Sequence, residues 1–251
     1  MGEAFFGAKT VEAYLHETVA EVLIGHSDPS PESIGNSLRP YLGYQGAGAE
    51  IRGNAAVDLA LWDLLGKTTG TPLVELFGGR ARDSIRLYNT CAGSGYVSTS
   101  TRQQSENWGV SSDSSRKWED LQSFLVRPAE LAHELLEEGI TAMKIWPFDK
   151  AAERDHGNSI THQELDAGLA IVSKIRDAVG SRMDILIELH GLWNLPPAKR
   201  IVRELSQFDP YWVEDPMRPD YVDALVRLAE STEVPIASEK QLSDGGDLLL
   251  C

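Results

Sequence analysis

Three glutamates stand where short apolar runs end: Glu188 closes DILIE, Glu214 closes YWVE and Glu239 follows VPIAS. They are 26 and 25 residues apart, which is about one strand, one helix and two short connections each. In a right-handed array of such units the ends of successive strands are neighbours on one rim, so the three carboxylates are expected to converge. Carboxylates gathered that closely repel, and something positive must sit among them. A hard dication with oxygen ligands answers that need, and Mg²⁺ suits a site that also takes substrate oxygens and water. Separate ion pairs with nearby Lys or Arg, for example Lys240, are the other reading.

His190 lies two residues beyond Glu188, so strand alternation would aim it at the same rim. An imidazole there can take a proton beside the metal, and an imidazolium can deliver one. Lys144, in the apolar run TAMKIW, lines the same mouth if its register turns it inward, where it would bind an anion or stabilise an enolate. Trp146 and Trp193 flank that rim as walls or as plain packing.

The elements that must hold these residues follow from periodicity. Thr10 can cap a helix over 11–24 that Gly25 stops, and Ser30-Pro31-Glu32 opens a second. A longer helix over 47–66 carries Val57, Leu61, Leu64 and Leu65 as one stripe, and Thr71-Pro72 begins another short turn. Beyond Asp83 strands alternate with helices. Strands are expected at 84–89, 141–146, 184–188, 211–214 and 234–237, with helices over 131–138, 163–179, 197–205 and 221–230. Such alternation favours a parallel sheet. The stretch 91–120, rich in Gly, Ser, Asn and Gln with Trp108 and Trp118, reads as a long loop suited to substrate contacts.

Composition removes several classes. The chain has 251 residues, 42% of them hydrophobic, and a formal charge of -15, which argues against nucleic acid or an anionic membrane surface as partner. Cys91 and Cys251 form no CxxC pair, so no zinc ribbon or disulfide framework is expected. Neither GxGxxG nor GxxxxGK[ST] occurs, which leaves a nucleotide cofactor without support. With no signal-peptide pattern and no long apolar run, a cytoplasmic protein is expected.

With these residues in place the chain resembles the mandelate racemase and muconate lactonizing branch of the enolase superfamily. RGNAAVDLALWDLLGK (Arg52 to Lys67), followed by PLVELFGG, looks like that family's junction between capping domain and barrel. The strand-end glutamates match its metal triad. The resemblance covers essentially the whole chain. It implies an α/β protein: a partial TIM-type (β/α) barrel of about five of eight strands over 83–251, preceded at 1–82 by the helical part of an α+β capping domain. It also implies a shared first step, in which a base removes the proton alpha to a carboxylate and Mg²⁺ stabilises the enediolate, with Glu188, Glu214 and Glu239 as metal ligands.

Departures from the family pattern refine the expectation. Many members carry Lys-x-Lys at the second barrel strand, whereas this chain has Lys144-Ile145-Trp146. Glu188-Leu189-His190 instead resembles the acidic-x-His arrangement of acid-sugar dehydratases, whose histidine is the acid that helps the beta hydroxyl leave. The expected activity is therefore Mg²⁺-dependent dehydration of a sugar acid, with His190 and Lys144 as catalytic groups and a homo-oligomer as the complete enzyme. A racemase or epimerase of a hydroxy acid and a non-catalytic fragment are the alternatives. The chain is expected to be incomplete: the family's second-half His and Asp dyad has no counterpart, and the sequence stops at DLLLC.

Overall fold

A computed structural model describes residues 1–3, 7–28, 30–39, 48–93, 119–218 and 222–238. They fall into two compact units divided between Ile85 and Arg86. In the first, one continuous helical segment runs through α1 (Ala8–Tyr14), a π-helical stretch (Leu15–Val19) and α2 (Ala20–Gly25). Its N-cap is Gly7 at φ 69, not Thr10, because the helix begins at Ala8 and puts Thr10 inside the first turn. Helix α3 (Pro31–Ser37) starts as expected, with the Ser30 hydroxyl accepting the Ser33 N–H and proline at the first helical position. Helix α4 (Ala49–Thr69) and the short α5 (Leu73–Leu76) complete the unit. Val19, Ile34, Leu38 and Val57 form its small core, with Tyr14 and Leu61 packed against them. The buried side of α4 thus follows Gly53, Val57 and Leu61, while Leu64 is 56% exposed.

The second unit is a parallel α/β layer. Helices α6 (Asp120–Val126) and α7 (Pro128–Glu137) precede β1 (Ala142–Ile145), which leads into α8 (Asp149–Glu153). Then follow α9 (His162–Val179), β2 (Asp184–Glu188), α10 (Leu195–Leu205), β3 (Trp212–Glu214), α11 (Val222–Ala229) and β4 (Ile236–Ala237). The strands lie in sequence order β1-β2-β3-β4, and every pairing is parallel. The expected strand at 84–89 contributes only Asn89, which bridges Met143. Its apolar residues Ile85 and Leu87 stay exposed and add nothing to a buried face.

The pleat separates two chemistries. Paired residues of parallel strands share a face, and residues two apart along a strand do too. Met143, Ile145, Ile185, Ile187 and Val213 therefore point to one side, where they join the main core with Leu165, Val172 and Ile175 of α9 and Ile201 and Leu205 of α10. Each such side chain contributes roughly 1.5–3 kcal/mol on burial. Lys144, Leu186, Glu188, Trp212 and Glu214 point to the other side.

Two glycines allow close approaches beside the site. A Cβ on Gly168 of α9 would stand 2.1 Å from the Phe148 ring, so glycine lets α9 lie over the residue just before Asp149. Gly157, at φ +72, would meet the Leu192 carbonyl at 1.9 Å, and its own carbonyl accepts the Asn194 N–H. The connection after α8 is thereby laced to the loop after β2.

Candidate metal and acid-base site

Register sets the centre of the site. Glu188 and Glu214 are direct partners across β2 and β3, so their side chains leave neighbouring strands side by side. Both are buried, at 1% and 2% exposure. Lys144 reaches them from the third strand on the same face. Its ammonium donates to Glu214 Oε1 at 2.7 Å and lies 3.4 Å from Glu188 Oε2. The Trp212 indole N–H donates to the other Glu214 oxygen at 3.0 Å. Lysine thus turns towards them and supplies positive charge between two carboxylates, the ion-paired arrangement that the sequence left open. Burial alone would lower the Lys144 pKa, but its hydrogen bond and Coulombic attraction to Glu214, together with Tyr88, hold it above the ordinary lysine value. The ammonium also lies 5.4 Å from the Tyr88 ring centroid.

Asp215 joins this pair. Strand alternation would send it to the opposite face from Glu214, but its φ of 41 leaves the strand region at that residue. One carboxylate oxygen from each of Glu188, Glu214 and Asp215 lies within 4.8 Å of the others, and all three residues are buried. The signal available in the sequence was the Asp215-Pro216 pair, a turn-forming dipeptide directly after a strand. Glu239 and Lys240, like Trp108 and Trp118, lie outside the described residues.

His190 stands at the end of β2 with φ 51, and its backbone N–H donates to Glu188 Oε1 at 2.8 Å. Its ring meets the Trp146 indole edge-on, centroids 5.6 Å apart, and Trp146 in turn packs against Phe124 at 5.2 Å. Its Nδ1 is 2.8 Å from Asp149 Oδ2. Asp149 was not singled out from the sequence, because an aspartate opening a short helix after Pro147-Phe148 is an ordinary helix-start residue.

Residues 1–78 match the mandelate racemase/muconate lactonizing enzyme N-terminal domain, and residues 127–248 match the enolase C-terminal domain-like family. The chain belongs to the mandelate racemase/muconate lactonizing enzyme family of the enolase superfamily. Within it, a D-galactonate dehydratase of Variovorax paradoxus (strain S110) is 29% identical over 238 residues, covering 94% of this chain and 52% of that protein. A crystal structure of an enolase of the mandelate racemase subgroup from Agrobacterium tumefaciens superposes with a TM-score of 0.80 at 40% identity, over 99% of this chain and 58% of that one. Another, of an enolase protein from the environmental genome shotgun sequencing of the Sargasso Sea, gives 0.77 at 37% identity, over 94% and 56%. The chain spans about half the length of the curated relatives it matches. Among the described residues, no helix is long and apolar enough to cross a membrane.

Proposed function

We propose that this family member carries the metal-binding and proton-donating part of a cytoplasmic sugar-acid dehydratase, which removes the proton alpha to a carboxylate and expels the beta hydroxyl as water. The observation that carries the reading is the convergence of Glu188, Glu214 and Lys144 on one sheet face, with His190 at the end of the same strand as Glu188. The relatives named D-galactonate dehydratase support the substrate class.

The residues fit Mg²⁺. The donors are buried carboxylate oxygens, the hard ligands this ion takes, and three of them lie close enough for one cation at ligand distances of about 2.1 Å to gather them with small side-chain movements. Glu188 and Glu214 would hold the ion, Asp215 lies close enough to join them, and Glu239 is the third ligand that the family resemblance implies. A bound Mg²⁺ supplies positive charge opposite the substrate's carboxylate oxygens, where negative charge grows as the alpha proton leaves. Lys144 adds a second cation on that face and orients the carboxylate. His190 gives a proton from its ring to the departing hydroxyl oxygen. The base for the alpha proton is not assigned to any described residue.

Two measurements test this together. Calorimetric titration with Mg²⁺ should show one site, lost in Glu188→Gln. In the complete enzyme that carries this part, incubation with Mg²⁺ and a panel of sugar acids beginning with D-galactonate should release a 2-keto-3-deoxy acid, and His190→Asn should abolish it. Deuterium exchange at the alpha carbon in D₂O with no keto product would make the protein an epimerase. Neither metal uptake nor turnover would leave the non-catalytic reading.

A further inference from the structure

We infer that Asp149 is a positioning residue for the proton donor: it fixes which nitrogen of His190 faces the substrate. This rests on the reading of His190 as the acid. A carboxylate oxygen accepts, so the 2.8 Å contact places the hydrogen of the neutral ring on Nδ1 of His190 and leaves Nε2 as the nitrogen turned away from Asp149.

Among the described residues, the side chain of Asp149 bonds His190 and nothing else. It is 7% exposed, and its Oδ1 has no hydrogen-bond partner among the described residues. It opens α8 without capping it: Phe148 is the N-cap residue, and no side chain caps the helix. A buried carboxylate that bonds neither a backbone N–H nor a cation costs desolvation energy, and here its hydrogen bond is with the imidazole. Its placement is built into the fold. Ile145 pairs with Ile187, so the connections leaving β1 and β2 run side by side. Gly168 admits the Phe148 ring beneath α9, and the Gly157 carbonyl to Asn194 N–H bond ties the two connections together. On its other side the His190 ring abuts the edge of Trp146, so carboxylate and indole together fix its orientation.

The consequence is specific. Without the Asp149 carboxylate the imidazole would lose the acceptor that holds its hydrogen on Nδ1, and the nitrogen beside the substrate would more often hold the wrong state for transfer. Replacing the orienting carboxylate of a catalytic histidine by its amide lowers kcat by about 10⁴-fold in serine proteases. Asp149→Asn should lower kcat by about 10²- to 10⁴-fold with KM changed less than about threefold, whereas a general loosening of the loop would raise KM as well.

The decisive readout does not depend on turnover. In ¹⁵N-histidine-labelled protein, with His190 assigned by its loss in His190→Asn, the neutral ring should show a protonated Nδ1 and an unprotonated Nε2. Asp149→Asn should move both resonances toward a mixture or the reverse pattern. A wild-type ring protonated on Nε2 would overturn the inference without any variant having to fold, and so would an unchanged pattern in folded Asp149→Asn. If His190→Asn retains full dehydratase activity, the role of His190 as acid fails. If His190→Asn is inactive while Asp149→Asn turns over at the wild-type rate, this inference alone fails.

Discussion

Lys144 carries two loads that act against each other. Its ammonium neutralises Glu188 and Glu214 in a region nearly closed to water, and it bonds the same carboxylates that a divalent cation would draw on. Removing one partner of a buried charged group leaves the rest uncompensated, at a cost of about 3–5 kcal/mol. Lys144→Met should lose stability on that scale in metal-free buffer. Added Mg²⁺ should then restore more stability to Lys144→Met than it adds to the wild type, because the variant's carboxylates no longer have an ammonium between them. Thermal unfolding with and without Mg²⁺ measures both, and an equal Mg²⁺ response in the two proteins would show that lysine and metal do not compete. At this scale residue type and position at or just after the end of an apolar strand nominated Glu188, Glu214 and His190, whereas Lys144 lies within its strand and its facing depended on a register the sequence left open. Asp215 and Asp149 were not legible: the first depends on one residue leaving strand geometry, and the second on a contact between the start of α8 and the segment after β2, 41 residues apart in sequence.

Elements with complete local signals were read closely. The strand at 184–188 and the helices α9, α10 and α11 lie within two residues of expectation, because alternation or 3.6-residue periodicity agrees there with clear stop signals. Residues 84–89 misled, since alternation shows that a segment is able to pair but not that a neighbour covers its apolar face. Helix α9 has a full capping box: Thr161 Oγ1 accepts the Glu164 N–H, and the Glu164 carboxylate accepts the Thr161 N–H. Arg154 also bonds Glu164, at 2.8 Å, and these contacts, Arg154 first, push the Glu164 pKa down to about 2 from its ordinary 4.5. A carboxylate depressed on folding stabilises above its unfolded value, and that contribution is lost as the pH falls through the folded one. The advantage of wild type over Glu164→Gln should therefore be full above pH 4.5 and fade towards pH 2. Urea unfolding across that range checks it, and a gap that persists undiminished at pH 2 would mean the carboxylate's charge is not what stabilises the cap. Thr161→Ala should cost about 1 kcal/mol.

Over the molecule as a whole, a formal charge of -15 means that any cation stabilises somewhat, so a rise in unfolding temperature with Mg²⁺ is not by itself a sign of a site. Distance from water separates the two effects. Exposed charges are screened by any salt within a Debye length of about 10 Å at 0.1 M, and sodium and magnesium at matched ionic strength then act comparably. Glu188 and Glu214 are buried, beyond the reach of that diffuse atmosphere, and respond only to an ion that enters and is ligated. Sodium chloride should raise the midpoint gradually in wild type and in Glu188→Gln alike, since one carboxylate in 38 acidic residues barely alters the overall repulsion. Glu188→Gln also leaves Lys144 paired with Glu214 at 2.7 Å, so the variant keeps its buried ion pair. At a hundredfold excess over its dissociation constant, a ligand that binds only the folded state adds about 2.7 kcal/mol, or about 5–10 °C for a chain of this size. That increment, measured above the sodium chloride baseline at equal ionic strength, should appear in the wild type and vanish in Glu188→Gln. If both proteins follow the sodium curve under magnesium, the carboxylates of β2 and β3 are a structural ion pair with Lys144, and the metal chemistry proposed for this face has no site.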